Sequence, residues 1–135
     1  MRSTSLVVTL FISAILLAVT HDLAISLNWY YFYPFTDIPL HILGGFVIGL
    51  FSYLIFSSRR RFRLYDLNSQ SLFIVIILST LLVSLLWELL ELVFFLTKDA
   101  GLSTETLSDI IFGSVGAVIS WVAVEFIWRT KNTSE

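Results

Sequence analysis

The chain has 135 residues, of which 57% are hydrophobic and 13% are charged, with a formal net charge of −2. Soluble domains carry roughly a quarter charged residues, so this composition is too poor in charge for a soluble globule and too hydrophobic for a disordered chain. Cysteine is absent, which excludes disulfide scaffolds and thiolate metal sites, and the acidic balance gives no reason to expect nucleic-acid binding. The class that remains is an integral membrane protein.

Four long apolar stretches predict transmembrane helices at 5–27, 38–56, 71–96 and 107–128. Each is close to the roughly 20 residues that cross about 30 Å of hydrocarbon. The stretches are continuously apolar rather than alternating, and a helix is then the spanning structure that satisfies the backbone. We predict an all-α fold, a bundle of four transmembrane helices forming a single domain over 1–135.

The first predicted helix also has features of a secretory signal peptide, because Arg2 precedes an apolar run at 6–19. No clear small-residue cleavage signal follows this run, and apolar character resumes at 23–27. We therefore expect this segment to be retained as a true span.

The basic residues predict the orientation of the bundle. Seven lie on one side of the predicted spans, namely Arg2, Arg59, Arg60, Arg61, Arg63, Arg129 and Lys131, and Lys98 alone lies on the other. By the positive-inside rule both termini and the loop at 57–70 are cytoplasmic, which predicts a protein of the cytoplasmic (inner) membrane. The same arginines could also bind anionic lipid head groups or an acidic partner, although the topology rule alone accounts for them. The aromatic segment at 29–35 is then an anchor at the outer interface.

Ionisable residues within the spans are the strongest functional signal in this sequence. They are His21, Asp22, Asp37, His41, Glu88, Glu91 and Asp109. An Asp at the centre of a span costs about 2.5–3.5 kcal/mol, so such residues persist where they face a bundle interior or a wet cavity. At 1.5 Å per helical residue, all of them fall in the outer half of the bilayer.

These residues share helix faces with small residues at spacings of three and four, which are the spacings of one helix face. The stripes are Ala14, Ala18 and Asp22 on the first helix; Asp37, His41, Gly45 and Gly49 on the second; Thr80, Ser84, Glu88 and Glu91 on the third; and Asp109, Gly113, Gly116 and Ser120 on the fourth. Small residues let membrane helices approach closely, so we predict helix packing at Gly45, Gly49, Gly113 and Gly116. The four stripes are expected to converge on the bundle axis.

Several kinds of chemistry fit such a cluster. Carboxylates and imidazoles on facing helices are ingredients of a divalent metal site, with His41, Glu88, Glu91 and Asp109 as candidate ligands. The same groups suit a proton relay or general acid–base chemistry. A hydrogen-bond network that only fixes packing is the structural alternative.

Three segments together resemble the VanZ-like membrane proteins and their uncharacterised inner-membrane relatives. They are Asp37-Ile-Pro-Leu-His41, Glu88-Leu-Leu-Glu91 and Asp109-Ile-Ile-Phe-Gly-Ser-Val-Gly116. The resemblance covers about 37–119 and is closer to those relatives than to VanZ itself. It implies a helical membrane fold in which Asp37, His41, Glu88, Glu91 and Asp109 form the shared site, with His21 and Asp22 as additional candidates.

The function predicted from these observations is binding at an outward-facing site within the membrane. The expected ligand is an envelope lipid or glycan, a metal ion or protons, and the lipid bilayer is the surrounding partner. The alternatives are a membrane-embedded hydrolase or transferase acting on an envelope substrate, and a structural or assembly subunit.

Overall fold

A computed structural model describes residues 2–58, 68–93 and 104–129, and throughout these ranges the chain is helical or turns between helices. The helices are α1 (Arg2–Ser26), α2 (Trp29–Phe32), α3 (Asp37–Ser58), α4 (Ser69–Val93) and α5 (Thr104–Ala123), the last continued by a π-helix at Val124–Arg129. Four of these helices, α1, α3, α4 and α5, are long and apolar enough to cross a membrane. The all-α prediction with four spans is therefore confirmed.

The observed helices begin two to three residues earlier than predicted for α1, α4 and α5, and one residue earlier for α3. The added residues are polar. They can be helical because a helix can extend beyond the hydrocarbon into the headgroup layer. At the start of α4 the side chain of Asn68 accepts a hydrogen bond of 2.8 Å from the backbone N–H of Ser71, which is an N-terminal cap. The arginine cluster at 59–63 and Lys98 lie outside the described residues.

The connection between α1 and α3 is short and ordered, not a plain loop. Asn28 has a φ of 53°, a left-handed conformation that Asn tolerates better than most residues, and it redirects the chain into α2. A 3-10 turn at Pro34–Thr36 then leads directly into α3. Within this connection Tyr31 and Phe35 are strongly exposed, as expected for aromatic side chains at a membrane interface. We call the end of the bundle that carries this connection the Asp37 end.

The helix α3 occupies the middle of the bundle, with α1, α4 and α5 packed around it, and its closest neighbour is α5. Two glycines explain this closeness. A Cβ added at Gly45 would overlap the carbonyl oxygen of Gly113, and one added at Gly116 would overlap the carbonyl oxygen of Ile42. The backbones of α3 and α5 are thus in direct contact, an approach that only glycine permits.

Away from the Asp37 end the interior is tightly closed. Five side chains there are less than 2% exposed, namely Leu50, Ile76, Val124, Thr80 and Ser120. The two buried hydroxyls bond to their own helices, Thr80 to Ile76 O at 2.9 Å and Ser120 to Ala117 O at 2.8 Å. Thr80 of the α4 stripe and Ser120 of the α5 stripe therefore lie inside the bundle, and these two hydroxyls need no ligand for their hydrogen bonds.

The stripe predicted on α1 does not face the bundle. Ala18 and Asp22 are exposed, whereas Leu6, Ser13 and Ala24 are buried on a different face. Among the long helices α1 packs mainly against α3, and alanines can face lipid at little cost, so small residues alone do not mark the packed face of α1. Outward-facing residues such as Phe11 and Leu78, 63% and 59% exposed, form the surface expected to contact the bilayer.

Candidate metal centre

The side chains of Asp37, His41 and Asp109 meet at the Asp37 end of the bundle. His41 precedes Gly45 by four residues on α3, and Asp109 precedes Gly113 by four residues on α5. Because α3 and α5 run in the same direction from this end and touch at the two glycines, one turn back along each helix places His41 beside Asp109. Asp37 lies one further turn back on α3, on the same face as His41.

The three side chains converge on one atom. Nε2 of His41 lies 3.3 Å from Oδ1 of Asp37 and 3.5 Å from Oδ1 of Asp109. The side chains of His41 and Asp109 are 18% and 13% exposed, while that of Asp37 is 39% exposed. The cluster is therefore enclosed by the helices on the Asp109 side and open on the Asp37 side.

The 3.3 Å contact with Asp37 is compatible with a hydrogen bond, and both separations also fit the ligands of one metal ion. A charged N–H···O contact measures about 2.7–2.9 Å, and a single Nε2–H cannot point at two carboxylates at once. In a tetrahedral Zn²⁺ site with bonds of about 2.0–2.2 Å, neighbouring ligand atoms lie about 3.3–3.6 Å apart. One ligand atom from each of the three residues lies within 4.8 Å of the others, so a single ion could contact all three.

Glu88 of α4 lies near this cluster without joining it. Its carboxylate is close enough to exert a Coulombic effect on the imidazole of His41. Among the described residues, however, the group whose ligand atoms lie close enough to share an ion consists of Asp37, His41 and Asp109. The side chain of Glu91 lies outside the described ones, so its predicted place in the site stays a prediction.

The two additional candidates on α1 lie elsewhere. Nδ1 of His21 lies 2.9 Å from the hydroxyl of Tyr30, and its ring packs edge to face against those of Tyr30 and Trp87 at centroid distances of 6.1 Å. Asp22 is exposed, on a different face of α1 from the packed one. His21 thus belongs to an aromatic cluster that joins α1, α2 and α4, separate from the three-residue group.

This aromatic cluster was not predicted from the sequence. The composition of the run at 29–35 indicates an interfacial anchor, and nothing in the spacing of Trp87 links it to His21. The usable signal was the pairing of an intramembrane His with a Tyr only nine residues later, because a buried imidazole needs a hydrogen-bond partner.

Over residues 2–131 the chain matches the model of a family described as predicted membrane protein (DUF2238). The chain belongs to the DUF2238 family. No curated protein and no solved structure matches it. The DUF2238 match includes α1, which the VanZ-like resemblance did not, and it carries no information about VanZ-like proteins. The family description places the chain in a membrane and names no activity.

Proposed function

We propose that this protein binds a divalent metal ion through Asp37, His41 and Asp109, at the outward-facing end of a bundle in the cytoplasmic membrane. The observation that carries the proposal is the placement of one imidazole nitrogen between two carboxylate oxygens at 3.3 and 3.5 Å. Mixed nitrogen and oxygen ligands suit ions such as Zn²⁺ and Mn²⁺. The outward direction rests on the positive-inside rule.

Charge balance supports a bound ion. Two carboxylates and a neutral imidazole bring two negative charges close together, and the Asp109 carboxylate among them is largely enclosed by the helices, where uncompensated charge is costly. Protonation of His41 would neutralise one of these charges, whereas a divalent ion would neutralise both. The ion is therefore the better counter-charge for this set of side chains.

A packing network is the less favoured alternative. Asp37 and His41 are neighbours on one helix, so their contact holds no two helices together. The contact of His41 with Asp109 does join α3 to α5, but the Gly45–Gly113 contact already holds those helices together one turn away. Packing of α3 against α5 therefore does not require two carboxylates, which are costly to place within a membrane.

The closed interior favours a binding site over a proton path through the membrane. Leu50, Ile76 and Val124 are each at most 1% exposed and lie between the three-residue group and the other end of the bundle. Ions and protons therefore reach the group from the Asp37 end. An open coordination position there would accept an envelope ligand that approaches from the outer side of the membrane. The same position could activate water in a hydrolase or transferase, which stays the alternative.

The proposal is tested by metal analysis of protein purified in a mild detergent. After incubation with Zn²⁺ or Mn²⁺ and removal of unbound ion, we expect about one ion per chain by mass spectrometry, since three ligands define a single site. His41→Ala should abolish binding. His21→Ala is the matched control, because it removes the other histidine of the chain, also partly buried at this end, and should leave binding intact.

Two outcomes would contradict the proposal. One is the absence of bound ion in the folded parent protein. The other is equal retention of ion by the His41→Ala and His21→Ala variants, which would place the ion elsewhere.

A further inference from the structure

A second feature of the Asp37 end is a groove of about 200 Å³ between α1, α2 and the first turns of α3. Its walls are formed by Leu16, Thr20, Trp29, Thr36, Pro39, Leu40 and Leu43. The hydroxyl of Thr20 donates to the carbonyl of Leu16 at 2.7 Å, so it is not directed at a ligand. The groove therefore presents an almost wholly apolar surface.

The groove begins beside the open edge of the metal centre. Thr36 directly precedes Asp37, and Leu40 follows it by three residues, which places both on the flank of the helix next to the carboxylate. Asp37 is also the most exposed of the three ligands, at 39%. The apolar groove and the exposed carboxylate of Asp37 therefore meet on the first turn of α3.

The level of this junction in the membrane indicates the kind of molecule that would occupy it. Asp37 begins a membrane-spanning helix and follows a connection rich in exposed aromatic residues, so it lies where lipid head groups meet hydrocarbon. Divalent ions held by carboxylates commonly complete their coordination with phosphate oxygens. A ligand at this junction would place an anionic head on the ion and an apolar chain in the groove.

We propose that the protein binds a phosphate-bearing membrane lipid, an inference that rests on the proposed metal function. The phosphate would bind the ion at Asp37, His41 and Asp109, and the hydrocarbon chain would lie in the α1–α3 groove. An amphiphilic molecule needs a polar site for its head and an adjoining apolar site for its chain, and the ion and the groove would supply these two sites. Neither a free phosphate nor a lipid without an anionic head would use both.

A second apolar groove provides an internal comparison. It measures about 470 Å³ and is lined by Leu81, Ile110, Ile111, Ser114, Val115, Val118 and Ile119. The exposed residues Ile111, Val115 and Val118 lie on the side of α5 away from Asp109, since they are offset from it by about 180–240° at 100° per residue. Bilayer lipid can cover this groove, whose lining residue Ile110 follows Asp109, the least exposed side chain of the three-residue group at 13%.

The experiment is photolabelling with dodecyl phosphate that carries a diazirine on its chain, using protein in a maltoside detergent with and without Zn²⁺ or Mn²⁺. Labelled peptides are mapped by mass spectrometry. We expect the ion to raise labelling of the α1–α3 groove about tenfold, a change that one additional ionic contact can supply, and to leave the α4–α5 groove unchanged. Excess inorganic phosphate should reverse the increase, and a diazirine-bearing dodecanol should show none.

Variants separate this inference from the metal proposal. Leu16→Trp fills the groove from a half-exposed position and should remove the ion-dependent labelling while retaining the ion. Leu23→Trp makes the same change on the same helix outside the groove and should behave as the parent. Equal labelling with and without bound ion would overturn the lipid inference and leave the metal proposal standing. Failure to bind any ion would overturn both.

Discussion

At the residue scale, the central feature is an imidazole shared by two carboxylates. His41 contacts both of the other residues of the group, and Asp109 brings a carboxylate to it from a second helix. Removing either residue leaves an incomplete set of ligands, whereas removing a charge nearby changes only the electrostatic surroundings. Substitutions can distinguish these two situations.

Asp109→Asn should abolish metal binding in a protein that still folds. The amide retains the size of the side chain but loses the negative charge, and Asp109 would be a direct ligand of the proposed ion. We expect affinity to fall by more than about a hundredfold, beyond the roughly 10–100-fold cost of changes outside the ligand sphere. Titration with Zn²⁺ or Mn²⁺ checks this, with Ser114→Ala on the same helix as a control whose affinity should not change. An Asp109→Asn affinity equal to that of the parent would exclude Asp109 as a ligand.

Glu88→Gln should weaken metal binding without abolishing it. Glu88 acts on His41 through its charge but is not one of the three residues that can share an ion. A loss of about 10–100-fold is the order expected for a residue that supports a metal site from outside the ligand sphere. The same titration measures it, and complete loss of the ion would instead make Glu88 a direct ligand.

Binding should also weaken as the pH falls. An ion and a proton compete for Nε2 of His41, and a metal ligand must be deprotonated to bind. Between about pH 8 and about pH 5, where imidazoles ordinarily titrate, we expect affinity to decrease steadily. The His21→Ala variant should show the same pH profile. A parent profile that is flat over this range would argue against coordination by His41.

At the element scale, the contact between α3 and α5 determines whether the three side chains meet at all. Gly44 and Gly45 are adjacent and differ sharply in their surroundings. A Cβ at Gly45 would overlap the backbone of α5, whereas one at Gly44 would make an ordinary contact of 3.9 Å with Leu17. The pair therefore provides a matched test of this interface.

Gly45→Ala should destabilise the bundle and Gly44→Ala should not. Overpacking of a tight interface typically costs about 1–3 kcal/mol, and backbone atoms cannot rotate away as a side chain could. Unfolding in increasing sodium dodecyl sulphate, followed by circular dichroism, compares the two variants with the parent. Equal stability of all three would show that α3 and α5 are farther apart than the structure has them.

The sequence predicted the inward faces of α3, α4 and α5 because ionisable, hydroxyl and glycine residues recur at helical spacing on each. It did not predict the face of α1, since Ala14 and Ala18 carry no information about direction when lipid and protein are equally apolar. It also did not select Asp37, His41 and Asp109 from the larger set of ionisable residues. That selection depends on the register of α3 against α5, and the Gly45–Gly113 contact sets this register. The spacing of residues within a single helix gives no information about it.

At the scale of the whole molecule, the charge bias of the loops predicts that the Asp37 end faces outward. Cysteines introduced at Asn68 and Asn132 should then be protected from a membrane-impermeant thiol reagent in intact cells, and one at Gly101 should react. The natural chain contains no cysteine, so no background labelling competes. Labelling at Asn68 but not at Gly101 would reverse the orientation and place the metal centre on the cytoplasmic side.

The central claim is that one ion is coordinated by one nitrogen and two carboxylate oxygens of this bundle. X-ray absorption spectroscopy of the Zn²⁺-loaded protein tests it most directly, because it reports the ligands of the ion itself. We predict one imidazole nitrogen among oxygen ligands at about 2.0–2.2 Å, with the imidazole scattering lost in His41→Gln and retained in His21→Gln. A spectrum with oxygen ligands alone, or one unchanged by His41→Gln, would contradict the assignment of His41 and the metal centre built on it.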